Sequence, residues 1–277
     1  MRTEHKKEYK IAYKKEQKNR QKRPYGGIRI AADAVLELLY PPRCPLCDAV
    51  LPFGQEGCCG DCGRKLPWIR EPRCMKCGKP VASAAAEYCP DCERTEHYFD
   101  RGTAPFVYTG ALREAVWRMK YENRRDYTGF FAEAMMQSLG PFWNVWRPEL
   151  IVAVPMHKSR RRRRGYNQSE LLAKRISRAS GVPFDPKALR CIRRTSSQKT
   201  LGRKERMRNL RGSFAAARPF DGISGVLVVD DVYTTGSTVD EISRTLRAAG
   251  AERIYFVTIC TGKGKKTVCT TENVCYT

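Results

Sequence analysis

Val226-Leu-Val-Val-Asp-Asp-Val-Tyr-Thr-Thr-Gly-Ser-Thr238 joins an apolar run to a hydroxyl-rich bend and then to a segment of helical periodicity. An aliphatic run that ends at two carboxylates reads as a buried strand, over 225–229. The bend can aim successive backbone amides, with the hydroxyls of Thr234, Thr235, Ser237 and Thr238, at one anion. Gly236 lets the main chain approach closely, and a helix predicted over 237–249 brings its positive end to the same point. Asp230 and Asp231 fall at the carboxyl end of the strand, where open α/β sheets bind ligands. Adjacent carboxylates accept hydrogen bonds from vicinal hydroxyls, so an anion pocket beside them points to a phosphorylated ribose.

Outward from this stretch the alternation continues. Residues 150–154 read as a second buried strand, 253–259 as a third and 103–108 as extended; helical spacing covers 111–121, 127–139 and 167–179. Strands separated by helices imply an α/β fold with a mostly parallel sheet and right-handed crossovers. The 277 residues suffice for about two domains. The expected organisation is a basic mobile tail over 1–26, a helix over 27–43, a cysteine-rich module over 44–98, the α/β domain over 99–262 and a loose tail over 263–277. In the 27–43 helix, Ile28, Ala31, Ala32, Val35, Leu36 and Leu39 recur at helical spacing before Pro41 and Pro42 end the pattern.

The cysteine module contains four CxxC pairs: Cys44 with Cys47, Cys59 with Cys62, Cys74 with Cys77, and Cys89 with Cys92. A shift of thirty residues superimposes the first four cysteines on the second four, an internal repeat. Two knuckles per half supply the four thiolates of a closed tetrahedral Zn2+ site, and all-cysteine ligation leaves no position for a catalytic water. Two structural zinc ions are therefore expected, their binding energy folding a segment poor in aliphatics. Redox chemistry is the rival reading of CxxC, but the segment lacks a thioredoxin-like setting. Spacing does not say whether each half closes its own site or the halves exchange knuckles. Cys58 has no counterpart in the repeat and reads as a spare thiol; Cys191, Cys260, Cys269 and Cys275 read as core or tail residues.

The net charge of +23 is concentrated. Residues 1–30 carry eleven Lys/Arg against three acids, and residues 157–211 carry nineteen against three, leaving a near-neutral remainder. Clustered cations of this kind favour a polyanionic partner. No apolar run approaches the ~20 residues of a membrane span, and no apolar stretch follows the charged N-terminus. The expected location is cytoplasmic, with most thiols reduced.

Three aliphatics, Asp-Asp, two residues and Thr-Thr-Gly-x-Thr resemble the ribose-phosphate signature of type I phosphoribosyltransferases. The strings VPMHKSRRRRRGYNQSELLAKRI and RRTSSQKTLGRKERMRNLRGSF resemble the ComF family, competence-associated proteins that couple a double zinc ribbon to a phosphoribosyltransferase-like domain. The resemblance implies a sheet of type I phosphoribosyltransferase architecture. It implies that Asp230 and Asp231 bind the ribose hydroxyls of phosphoribosyl pyrophosphate (PRPP), and that Thr234, Thr235, Gly236, Ser237 and Thr238 bind its 5′-phosphate. A loop carrying Val154, Pro155, His157, Lys158 and Arg160 is then expected to hold the pyrophosphate. Arg164, Gly165, Tyr166, Asn167 and Gln168 match the family's RG-aromatic-NQ element. Thr195, Gln198, Leu201, Arg206 and Asn209 match its mobile loop.

The implied chemistry is displacement of pyrophosphate from ribose C1 by a nitrogen nucleophile, with Mg2+ accompanying PRPP. Asp230, Asp231, Lys199 and Arg203 are the expected catalytic groups, and 193–211 the expected lid. His157 reads either as an acid–base group or as a hydrogen-bond donor. The acceptor is not legible, so the enzymatic reading leans towards a pentosyl transferase without naming its substrate. The other reading is a non-catalytic single-stranded-DNA-binding protein of DNA uptake, working with uptake or helicase proteins. There Arg161, Arg162, Arg163, Arg164, Arg206 and Arg208 contact phosphates and Tyr166 stacks on bases.

Overall fold

A computed structural model describes residues 40–193 and 208–262. The helix expected over 27–43, most of the expected lid and both expected tails lie wholly or largely outside those residues. In chain order the α/β elements are β1 (Arg101–Thr103), β2 (Phe106–Val107), α3 (Gly110–Tyr121), α4 (Thr128–Leu139), α5 (Trp143–Trp146), β3 (Leu150–Ala153), α6 (Lys158–Arg164), α7 (Gln168–Ser180), β4 (Leu189–Cys191), β5 (Phe214–Ala216), β6 (Val226–Tyr233), α8 (Ser237–Ala248) and β7 (Ile254–Thr261). The short helices α1 (Gly60–Arg64) and α2 (Pro90–Glu93) precede them in the cysteine module. Among the described residues no helix is long and apolar enough to cross a membrane.

The five-stranded sheet has the order β1-β7-β6-β3, with β2 also on β7, and every pairing in it is parallel. This is the α/β sheet expected from the alternation of apolar runs and amphipathic segments. Four details differ from the sequence reading. The 103–108 strand is divided, because Pro105 has no N–H to give a ladder; its carbonyl instead accepts from the Ile69 amide at 2.7 Å. The strand expected over 225–229 continues through both aspartates to Tyr233, held by pairing to an equally long β7 as far as Tyr233–Thr261. The pyrophosphate loop is shorter than expected, because α6 begins at Lys158. His157 Nδ1 accepts from the Ser159 amide at its start, and Gly165, at φ 83°, ends it. The antiparallel pair β4–β5, not foreseen, brackets residues 194–207 in the chain.

Alternate residues of the strands serve opposite faces. Ile151, Leu227, Val229, Tyr255 and Val257 join one core with helices α3, α4 and α7 and with Cys44, Leu46 and Leu51 of the first cysteine repeat. Val152, Val226, Val228, Ile254 and Phe256 join the other with α8 and with Cys74, Cys77 and Cys89 of the second repeat. The two repeats therefore clamp opposite faces of one sheet. The chain between them passes along the sheet edge, where Trp68 bridges Phe106 and the Val107 amide donates to the Pro67 carbonyl at 3.0 Å.

Candidate functional site

Asp230 and Asp231 are buried in the last half of β6, which runs on to Tyr233, and each is met by donors. Ser169 Oγ donates to Asp230 Oδ1 at 3.0 Å. Lys120 Nζ donates to Asp231 Oδ1 at 2.8 Å, and Gln168 Nε2 donates to Asp231 Oδ2. Burial, reinforced by the neighbouring Asp231 charge, pushes Asp230 up to about 7. Burial alone would lower the Lys120 ammonium, but the charge and hydrogen bond of Asp231 raise it overall. The pair thus holds one carboxylate fixed by a cation and one acid that titrates near neutrality.

Sequence reading found the carboxylates but not Lys120. The signal was present: Lys120 lies one turn beyond Val116 on the face of α3 that buries Leu112, Ala115, Val116 and Met119, where a cation needs a buried partner. Gln168 and Ser169 open α7, and Asn167 caps it, its Oδ1 accepting from the Ser169 amide at 3.1 Å while its Nδ2 donates to the Val154 carbonyl at 2.9 Å. That cap ties the start of the 154–157 loop to the helix that holds Asp231.

The bend after β6 does open a helix, α8, with Gly236 at φ +80° as its cap. A Cβ on Gly236 would stand 2.7 Å from the Tyr233 hydroxyl, so both backbone angle and space demand glycine. Thr235 and Ser237 hydroxyls are 2.9 Å apart. Beneath the bend, buried Tyr233 packs in the core that contains Cys74, Cys77 and Cys89, with the Lys79 ammonium 5.2 Å from its ring centre. Lys79 pairs with Asp91 at 2.9 Å. One turn into α8, Asp240 contacts buried His97 Nδ1 at 2.6 Å and accepts from the Tyr98 amide at 3.3 Å. The second cysteine repeat and the segment after it thus brace the bend from behind.

On the other side lie the basic residues. His157 Nδ1 is 2.8 Å from Ser159 Oγ, a capping arrangement. Arg161, Arg162 and Arg163 are exposed on α6, with Arg161 paired to Glu170 at 2.7 Å. Arg164 bonds Gln168 Oε1 at 2.6 Å. Tyr166 is buried, donates its hydroxyl to the Met119 carbonyl and carries the Arg125 guanidinium 4.6 Å over its ring. Its ring offers no open face to a base, so the stacking expected of it has no support in this arrangement. Lys199, Arg203 and Arg206, with Thr195, Gln198 and Leu201, lie outside the described residues; Arg208 is exposed, and the Asn209 carbonyl accepts from Arg193 at 2.9 Å.

The cysteines form two tetrads, Cys44, Cys47, Cys59 and Cys62, and Cys74, Cys77, Cys89 and Cys92, each with its sulfurs within 4.8 Å of one another. Each half therefore closes its own site, resolving the alternative that spacing left open. The Cys47–Cys59 and Cys77–Cys89 sulfurs are 3.8 and 3.7 Å apart. A tetrahedron with Zn–S of about 2.3 Å has edges of about 3.8 Å, so both tetrads fit zinc, which would staple the repeats without taking part in chemistry. Cys58 belongs to neither tetrad, and Cys260 is a buried core residue. The first repeat is tied to the α/β part by Arg118, which donates to the Leu46 carbonyl at 2.7 Å, and by Asp48, which accepts from the Tyr127 hydroxyl at 2.5 Å.

Comparison with known proteins agrees with this division. Residues 35–93 match the double zinc ribbon domain family and residues 152–271 the phosphoribosyl transferase domain family. Competence protein F of Haemophilus influenzae is 32% identical over 174 residues, covering 61% of this chain and 76% of that protein. The DNA utilization protein YhgH of Salmonella typhimurium is 31% identical over 175 residues, covering 62% and 77%. Competence protein ComFC of Streptococcus pneumoniae is 27% identical over 192 residues, covering 61% and 78%. A cysteine module with two tetrads, clamped on a parallel sheet whose strand β6 carries paired carboxylates near its carboxyl end, accompanies that similarity, and the chain belongs to the ComF family of competence and DNA utilization proteins.

Proposed function

We propose that the chain binds PRPP and transfers its ribosyl phosphate to a nitrogen nucleophile. The observation that supports this reading is the continuity of β6, the Asp230–Asp231 pair and the glycine-capped bend opening α8, which together match the chemistry of a ribose 5-phosphate. Asp230 and Asp231 accept from the ribose hydroxyls, while Thr234, Thr235, Gly236, Ser237 and Thr238 enclose the phosphate. Residues 154–157, Lys158 and Arg160 face the diphosphate. The C1–oxygen bond to diphosphate breaks, the C1–nitrogen bond forms, and the nucleophile loses its proton. Cations at the loop and Lys199 and Arg203 stabilise the departing charge. Magnesium is expected to arrive with PRPP as its salt.

Calorimetry with PRPP, with and without magnesium, tests this. At pH 8, where Asp230 is ionised as well, replacing both aspartates by asparagine removes two charged acceptors at about 1.5–3 kcal/mol each, a loss of about 100-fold or more in affinity. Undiminished PRPP binding by the folded double variant would overturn the assignment. Screening nucleobases and ammonia for PRPP-dependent diphosphate release then identifies the acceptor.

A second role, single-stranded DNA binding in DNA uptake or processing, draws support from the exposed cations of α6 and from the names of the relatives. Neutralising Arg161, Arg162 and Arg163 is expected to flatten the salt dependence of oligonucleotide binding by roughly 0.7 log units for each phosphate no longer neutralised. An unchanged slope would remove α6 from that surface.

A further inference from the structure

Helix α3 exposes two large aromatic side chains beside the basic helix. Trp117 is 48% and Tyr121 52% exposed, and their ring centres lie 5.7 Å apart. Arg113 precedes them by one further turn, so the three fall on one stripe of the helix surface. Exposed aromatics of this size are costly against water unless a partner covers them. The Arg164 guanidinium, from the end of α6, lies 5.0 Å over the Tyr121 ring. That same guanidinium bonds Gln168, which donates to Asp231. Between the two aromatics in sequence, Lys120 turns inward to Asp231.

An aromatic stripe therefore flanks Lys120, the partner of Asp231, and is met through Arg164 by α6, the helix that also carries the exposed Arg161, Arg162 and Arg163. Lys158, Arg161, Arg162 and Gly165 border a shallow depression of about 450 Å3 in that basic flank. Apolar planar faces next to a row of cations are complementary to a chain that alternates planar bases with phosphates. They are not complementary to duplex DNA, whose bases are already stacked on one another. We infer that Trp117 and Tyr121 form the base-stacking platform of a single-stranded nucleic-acid track, with Arg161, Arg162 and Arg163 supplying the phosphate contacts. The inference rests on the DNA-binding reading above and gives it a base-contacting site other than Tyr166.

The test compares a twelve-residue oligothymidylate, an abasic twelve-mer of equal charge, a duplex and an acidic peptide of equal charge, each titrated across a salt series. The wild type, the W117A/Y121A variant, the W117F/Y121F variant and the triple arginine variant are compared. Both aromatics are half exposed, so their replacement leaves the core intact, and circular dichroism with a melting curve confirms the fold. W117A/Y121A is expected to bind oligothymidylate about 5- to 100-fold more weakly, with the salt slope unchanged and abasic binding unaffected. W117F/Y121F is expected to retain most of the affinity. If W117A/Y121A binds oligothymidylate as the wild type does, while the triple arginine variant does not, the platform is wrong and the basic reading survives. Equal weakening for the abasic strand overturns stacking as the mechanism. If the wild type binds none of the oligonucleotides, the DNA-binding reading and the platform fall together. Preference for an acidic peptide over the abasic strand at equal charge also overturns the assignment.

Discussion

Asp230 is an acid that the fold holds back from ionising. Its value of about 7 in the folded chain stands above an ordinary value of 3.8. Between those pH values the folded state keeps a proton that the unfolded state has released, so stability falls as pH rises from about 4 to about 7. Replacing Asp230 by Asn is expected to raise the melting temperature at pH 8 relative to wild type, with the gap closing towards pH 4; an equal gap at both would refute the linkage. Gly236→Ala places a Cβ against the Tyr233 hydroxyl at positive φ, and is expected to cost on the order of 1–3 kcal/mol. Denaturant unfolding checks this, together with weaker PRPP binding. Both positions stood out in sequence, because carboxylates and glycine carry a reason in their own atoms; the protonation of Asp230 and the crowding of Gly236 by Tyr233 did not, because both come from packing. Lys120 was less legible, since its meaning depends on which strand its helix crosses, and helical periodicity gives a face but not a neighbour.

The start of α8 is braced by the second cysteine repeat and its exit segment through Tyr233, Lys79 and His97, whereas the first repeat packs on the opposite face against α3 and α4. A ligand cysteine removed from the second tetrad, as in Cys77→Ser, is accordingly expected to weaken PRPP binding more than Cys47→Ser does at equal folded fraction. Calorimetry on both variants decides it, and equal effects would show that the brace is immaterial to the bend. Asp240→Asn, which weakens the contact to buried His97, is expected to lose about 1.5–3 kcal/mol of stability. The thirty-residue repeat and its ligands were readable from cysteine spacing alone. Their placement on opposite sides of a sheet was not, because two halves alike in ligand pattern give no sign of what each will pack against. The split of β1 from β2 was foreshadowed only by Pro105, and β4–β5 lacked any strong alternation.

The long-range pattern of charge, +23 with most of it near two stretches of sequence, was visible before any fold was known, and so was the order of the sheet's main strands and the longer helices. What connects the parts was not. The sequence division at residues 98 and 99 separates two compositions, but hydrogen bonds from 67–69 to β2 and buried clusters on both faces cross it. Thermal unfolding is therefore expected to show one transition rather than two, with calorimetric and van't Hoff enthalpies in agreement. Two separate transitions would mean that the clamp contributes little.

The strap along β2 has a bearing on how such a protein fares when metal is scarce. Trp68 and its neighbours occupy the pairing groups of an outer strand, and they are kept there by ribbons anchored at both ends. Chelation would release the strap and bare an unpaired border that invites strands from other molecules. Metal starvation would then be felt first as self-association, visible as light scattering at temperatures where the helices still hold.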